Sequence, residues 1–135
     1  MAFTARFGYR LKDTRKANCQ SSDAIGDFVC ISGDPVGGID TVTKADPTDF
    51  NKMPAVGVIV AKDGPTQCLV QWFGETPEIF SGLSSGEIYF VGLDSKIAER
   101  PPLGASPTFS QSIGVATASN RLYLSPDNNM TKRLP

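Results

Sequence analysis

The stretch MPAVGVIVAKDGPTQCLVQWFG, Met53 to Gly74, is the most apolar part of the chain. Val56, Val58 and Val60 alternate with Gly57, Ile59 and Ala61. After Asp63-Gly64-Pro65 the alternation resumes, with Cys68, Val70 and Trp72 on one face and Leu69, Gln71 and Phe73 on the other. A period of two, carried by β-branched and aromatic residues around a Gly/Pro turn, predicts two strands and a tight connection. This hairpin is expected at the centre of a small β domain.

Similar runs lie on both sides of it. Phe28-Val29-Cys30-Ile31-Ser32 reads as a compact apolar strand, and Ile39 to Lys44 as a strand with one polar face. Asp46 is a helix-capping residue, Pro47 fits a first helical position and Pro54 stops a helix, so one short helical turn is expected between them. Glu87 to Val91 is a further strand, and Glu99 to Ser110, with Pro101, Pro102, Gly104 and Pro107, reads as a loop. QSIGVATA (Gln111–Ala118) and RLYL (Arg121–Leu124) form a terminal hairpin about Ser119-Asn120. About eight short strands and no long helix predict an all-β domain, a small single-domain β-barrel or sandwich. Its expected divisions are an extended basic N-terminal arm over residues 1–20, the β domain over 21–126 and a polar C-terminal tail over 127–135.

The totals agree with one domain able to build a core. The chain has 135 residues, 40% of them hydrophobic and 20% charged, with a net charge of −1. Charge is unevenly placed. Residues 1–20 hold Arg6, Arg10, Lys12, Arg15 and Lys16 against Asp13, a balance of +4, and the remainder holds eight basic and thirteen acidic residues, a balance of −5. Along the arm, Phe3, Ala5, Phe7, Tyr9 and Leu11 occupy odd positions, while Arg6, Arg10 and Lys12 occupy even ones. That is an amphipathic stripe at strand spacing, fitted to the body or to a neighbouring subunit; a solvated terminus is the plainer alternative.

Three cysteines, Cys19, Cys30 and Cys68, form no C-x-x-C pair, which fits assembly in a reducing cytoplasm without a disulfide scaffold. Residues 1–20 lack the apolar core and cleavage site of a signal peptide, and no run approaches eighteen apolar residues, so no membrane contact is expected. The chain has no histidine, which removes the usual general base and every Ser-His or Cys-His arrangement. Asp46 with Asp49, and Glu75 with Glu78, are spaced carboxylates, but turn capping and a solvated face account for them. No calcium loop or phosphate loop is present. No catalytic residue, metal or cofactor is therefore expected. Trp72-Phe73 reads as core or subunit interface, with a stacking surface for sugars or bases as the other option.

One set of motifs is more specific. FVCISG, VTKADPTDFNKMPAVGVIV, PTQCLVQWFGE, SGLSSGEIYFVGLDSKIAERPP and QSIGVATASNRLYLSP follow one another over residues 22–126. Their order resembles the small β domain of tailed-bacteriophage capsid cement (decoration) proteins, related to domains of head and tail fibres. Met53-Pro54-Ala55-Val56-Gly57, Gly82-Leu83 with Gly86, and Ile113-Gly114-Val115-Ala116 carry the resemblance. The pattern departs at Ser85, where Pro is usual, and at Ser95, where Gly is usual. The resemblance implies a structural protein of the virion rather than an enzyme. It implies a homotrimer on the phage head surface, bound over junctions of the major capsid protein lattice and assembled in the host cytoplasm, with no nucleic acid partner. The alternative is a tail, fibre or adaptor module that binds glycan, with Trp72, Tyr89 or Tyr123 as stacking residues. The expected partner-binding residues are Phe3, Arg6, Phe7, Tyr9, Arg10, Lys12, Arg15, Lys16, Trp72 and Phe73.

Overall fold

The computed structural model describes residues 12–104 and 107–134. Its strands in chain order are β1 (Asp13–Asn18), β2 (Phe28–Ile31), β3 (Asp40–Lys44), β4 (Gly57–Lys62), β5 (Gln67–Glu75), β6 (Ile88–Val91), β7 (Ile97–Ala98), β8 (Thr108–Ser110), β9 (Ser112–Ala118), β10 (Arg121–Leu124) and β11 (Thr131–Arg133). A single 3-10 turn, Phe50–Lys52, is the only helical element among the described residues.

The expected hairpin is β4–β5, with Val58 opposite Gln71 and Ile59 opposite Val70. It forms one wall of a closed five-stranded barrel in the order β1-β3-β2-β4-β5. Closure comes from β1, which pairs with β3 in parallel and with β5 in antiparallel fashion. β5 then runs on into a second sheet, where Gly74 and Glu75 pair with β10, followed by β9, β6 and β7. β8 and β11 form a separate two-stranded ribbon.

Two cores follow from the alternation of side chains. Ala17, Cys19, Val29, Val42, Ile59, Cys68 and Val70 fill the barrel. Phe28 and Val58, one position out of phase, point the other way and join Leu83, Tyr89, Val91, Ile113, Leu122 and Leu124 between barrel and second sheet. β2 and β4 are thus covered on both faces, and this explains why FVCI and GVIV read as unbroken apolar runs. Gly57 belongs to this packing: any side chain there would run into the Gln71 carbonyl and Val70.

Three buried polar side chains hold the two halves in place. Gln71 stands at the point where β5 leaves the barrel, and Gly74 turns the chain there with φ +95°. The Gln71 carboxamide donates from Nε2 toward the carbonyls of Phe73, Gly74 and Glu75 at 3.1, 3.0 and 2.9 Å. Gln111 acts in place of a missing strand partner: its Oε1 accepts from the Ala55 N–H at 2.8 Å, and its Nε2 donates to the Ala55 carbonyl at 2.9 Å. Asp27 accepts from the Ala24 N–H at 2.9 Å and pairs with Lys96 and, at 4.0 Å, with Lys44, which ties the start of β2 to the β6–β7 turn.

The structure corrects four expectations. Residues 13–18, assigned to the extended arm, are strand β1. DTRKAN has one buried apolar residue, Ala17, and its other side chains face outward or sit at the barrel end, so its strand character depends on the partners on either side. The tail contains β11, and the loop after Glu99 contains β8; both are polar three-residue strands that exist by pairing with each other. The helical turn is capped by Asp49, whose carboxylate accepts from the Asn51 N–H at 2.9 Å. Asp46 instead accepts from the N–H and hydroxyl of Thr48 at 2.9 and 2.7 Å. Ser95 adopts φ 68°, the left-handed region that glycine fills most readily. Its hydroxyl donates to the Ala45 carbonyl at 2.6 Å, a bond glycine cannot make.

Two outcomes follow from this architecture. Deletion of residues 1–20 should abolish the cooperative thermal transition, because it removes the strand that closes the barrel, whereas a chain starting at Lys12 should keep it. Gln111→Leu should lower the unfolding free energy by about 2–4 kcal/mol in urea titration, since it leaves a buried N–H and a buried C=O unpaired.

Candidate interaction surface

Phe3, Arg6, Phe7, Tyr9 and Arg10 lie outside the described residues. The other expected partner-binding residues separate into two neighbouring groups. Lys12 is exposed immediately before β1, and Arg15 and Lys16 are exposed on β1 itself. Arg15 shares the strand parity of Ala17, so it lies toward one end of the barrel. Trp72 shares the parity of Cys68 and Val70 and packs against the barrel core from that end. The Arg15 guanidinium lies 4.6 Å from the centre of the Trp72 ring. Asp13 fixes it there in a two-pronged pair, accepting from Nη2 at 2.9 Å and from Nε at 3.3 Å. The Asp13 hydrogen bond and charge raise the Arg15 pKa further, so this is a permanent cation over an aromatic face. Trp72 is therefore half-buried between barrel core and guanidinium.

Phe73 has the opposite parity and leaves the barrel. Its ring meets Tyr123 edge-on, with centroids 6.1 Å apart at 72°. Tyr123 begins a row that the sequence reading did not assemble. On the outer face of the second sheet, Tyr123 stands opposite Val115, and Val115 opposite Ile88. Ile88 is 53% exposed and Val115 38% exposed. The solvent side of an antiparallel sheet is ordinarily polar. Here one outward position on each of three neighbouring strands is apolar, the three are in register, and Phe73 extends the row from β5. Each residue is unremarkable on its own strand; the signal was the exposed phase of EIYFV and QSIGVATA, which matters only once β6, β9 and β10 are known to be neighbours.

Asp13 is the register partner of Phe73, so the chain enters β1 beside this row. A basic strand and an apolar row thus share one corner of the molecule, where barrel and second sheet meet. Glu75 borders the row, held by the Thr117 hydroxyl at 2.8 Å. The corner therefore sets apolar side chains beside charged ones.

Tyr89, an alternative stacking residue, is 3% exposed, and its hydroxyl accepts from the Ser84 N–H at 2.8 Å. It is a core residue. Glu75 and Glu78 bind Thr117 and Asn120, which accounts for both carboxylates as turn and strand contacts. Among the described residues no group of three or more acidic, cysteine or histidine side chains is placed to hold a metal ion.

No family model, curated protein or solved structure matches the chain.

The Arg15–Trp72 contact has a direct readout, because Trp72 is the one tryptophan of the chain. Arg15→Ala should increase acrylamide quenching of the tryptophan emission and shift it to the red while the far-UV dichroism stays unchanged. Unaltered quenching would show that the guanidinium does not cover the ring.

Proposed function

We propose that this protein is a structural component of a bacteriophage virion, a cement protein that binds over junctions of the major capsid protein lattice on the head surface. The observation that carries the reading is the apolar row Ile88–Val115–Tyr123–Phe73 adjoining the basic strand β1, a combination that suits contact with another protein. The motif order over residues 22–126 supports it independently. A closed barrel suits a protein that acts by adding contacts to a shell. Binding by many copies on a lattice converts modest individual contacts into firm attachment. Three copies of the 14.4 kDa chain around a local three-fold axis is the assembly the resemblance implies. Cys19, Cys30 and Cys68 are free and buried, which suits assembly in the host cytoplasm. A catalytic role has less support, given the missing histidine and the structural engagement of Glu75 and Glu78. Of the residues for a glycan-stacking role, Tyr89 is buried and Trp72 lies beneath Arg15, which leaves Tyr123, beside Phe73 on the outer face of the second sheet, to carry that alternative.

The test is electron microscopy of purified particles, with the chain expected at a fixed copy number over capsomer junctions. Particles grown with Val115→Glu, or with a chain starting at Lys12, should carry less of it. Absence of the protein from purified heads, or full occupancy by both variants, would contradict the proposal.

A further inference from the structure

The barrel interior holds chemistry that the docking surface does not use. Cys19 and Cys68 both belong to the barrel core, and their thiols are close enough to share a hydrogen bond. Ala17 stands opposite Cys68, so Cys19, two residues on, lies diagonally across the β1–β5 pair. Diagonal Cα atoms on one face of an antiparallel pair stand about 7–8 Å apart, at the outer edge of the disulfide span, so a link between these two sulfurs draws the strands together locally. Cys19 is one residue past the end of β1, and its N–H still donates to the Thr66 carbonyl at 2.9 Å, so the adjustment that disulfide geometry demands falls on the last rung of the β1–β5 pairing, beside the turn at Ser21-Ser22. Cys68 is fully buried and Cys19 is 8% exposed, which makes Cys19 the sulfur that a small solute reaches first. Lys62 is held at the same mouth of the barrel. Its Nζ donates to Cys19 Sγ at 3.5 Å, to the Gln20 carbonyl at 3.1 Å and to the Pro65 carbonyl at 3.2 Å. Burial, then the hydrogen bond with Cys19, pushes the Cys68 thiol up to about 12, so Cys68 waits as a neutral thiol.

We propose that Cys19 and Cys68 are a redox pair that closes to a disulfide on contact with a hydroperoxide and so locks the barrel-closing strand to β5. Cys19 sulfur, having given up its proton, attacks one peroxide oxygen. The O–O bond breaks, and for hydrogen peroxide the leaving hydroxide takes up that proton and departs as water. The Lys62 ammonium stands beside the charge that develops on oxygen. The product is a sulfenic acid on Cys19. Cys68 sulfur then attacks Cys19 sulfur; the S–S bond forms, the S–O bond breaks, and the Cys68 proton leaves with the hydroxyl as a second water. Two thiols are oxidised and one hydrogen peroxide is reduced to two waters. The inference does not depend on the role proposed above. A cytoplasmic protein would stay open and reduced, and one exposed to an oxidising medium would be stapled.

The full chain treated with hydrogen peroxide under native conditions should lose the mass of two hydrogens, and peptide mapping should find one link, Cys19 to Cys68. The melting temperature should rise by about 5 °C or more, reversed by dithiothreitol. Lys62→Met should slow linking several-fold. Cys68→Ser should leave Cys19 as a sulfenic acid that dimedone traps; Cys68→Ala serves the same purpose if the serine variant does not fold. Gain of oxygen on Cys19 of the unsubstituted protein without a link, a link through Cys30, or a linked protein that melts no higher would overturn the proposal.

Discussion

Ala17 stands opposite Asp40 on one side and opposite Cys68 on the other, and this double pairing turns a curved sheet into a closed barrel. Without β1, strands β3 and β5 would each present an open edge, and the small side chains of Val29, Val42, Ile59 and Val70 would enclose a core exposed along one seam. Closure removes both edges at once, the most complete answer a sheet has to edge-to-edge association. Everything else is attached to this closed body. β5 leaves it at Gly74 to found the second sheet, and the outward residues of β2 and β4 form the floor on which that sheet packs.

The polar residues buried between the two halves do work that apolar packing cannot. Hydrophobic contact is non-directional and would tolerate a sliding second sheet. Gln111 bonds to the backbone of Ala55 and the Ser95 hydroxyl to that of Ala45, and these bonds fix where one half sits on the other, while Gln71 holds the bend by which β5 passes between them. The result is a corner with the basic strand β1 on the barrel side and the Ile88–Val115–Tyr123 row on the sheet side. The proposed role uses that fixed placement, because a docking surface held in one arrangement loses less entropy on binding.

Much of this fold was legible from the chain. The central hairpin, the FVCI strand, the IYFV strand and the terminal hairpin all have apolar residues in strand phase, and all are present. β1, β8 and β11 were not legible, because DTRKAN, TFS and TKR are strands by virtue of their neighbours and not of their own composition. Ser95 gave no sign that it would take a left-handed conformation; only the glycine usual at that position in the resembling pattern hinted at it. Trp72 and Phe73 show the same limit at the candidate site. Alternation said that they face opposite ways. The bend at Gly74 decides that one caps the barrel and the other joins an exposed row on a different sheet. The apolar row itself spans residues far apart in sequence, so no local pattern could assemble it.

The central structural claim is that β1 closes the barrel, and hydrogen–deuterium exchange on the intact protein tests it most directly. Amides of β1 that bond to β5 should exchange as slowly as those of the β4–β5 hairpin, because opening either exposes the same core. Exchange of the Thr14–Asn18 amides at the rate of an unstructured peptide, with the β4–β5 amides still protected, would contradict the account.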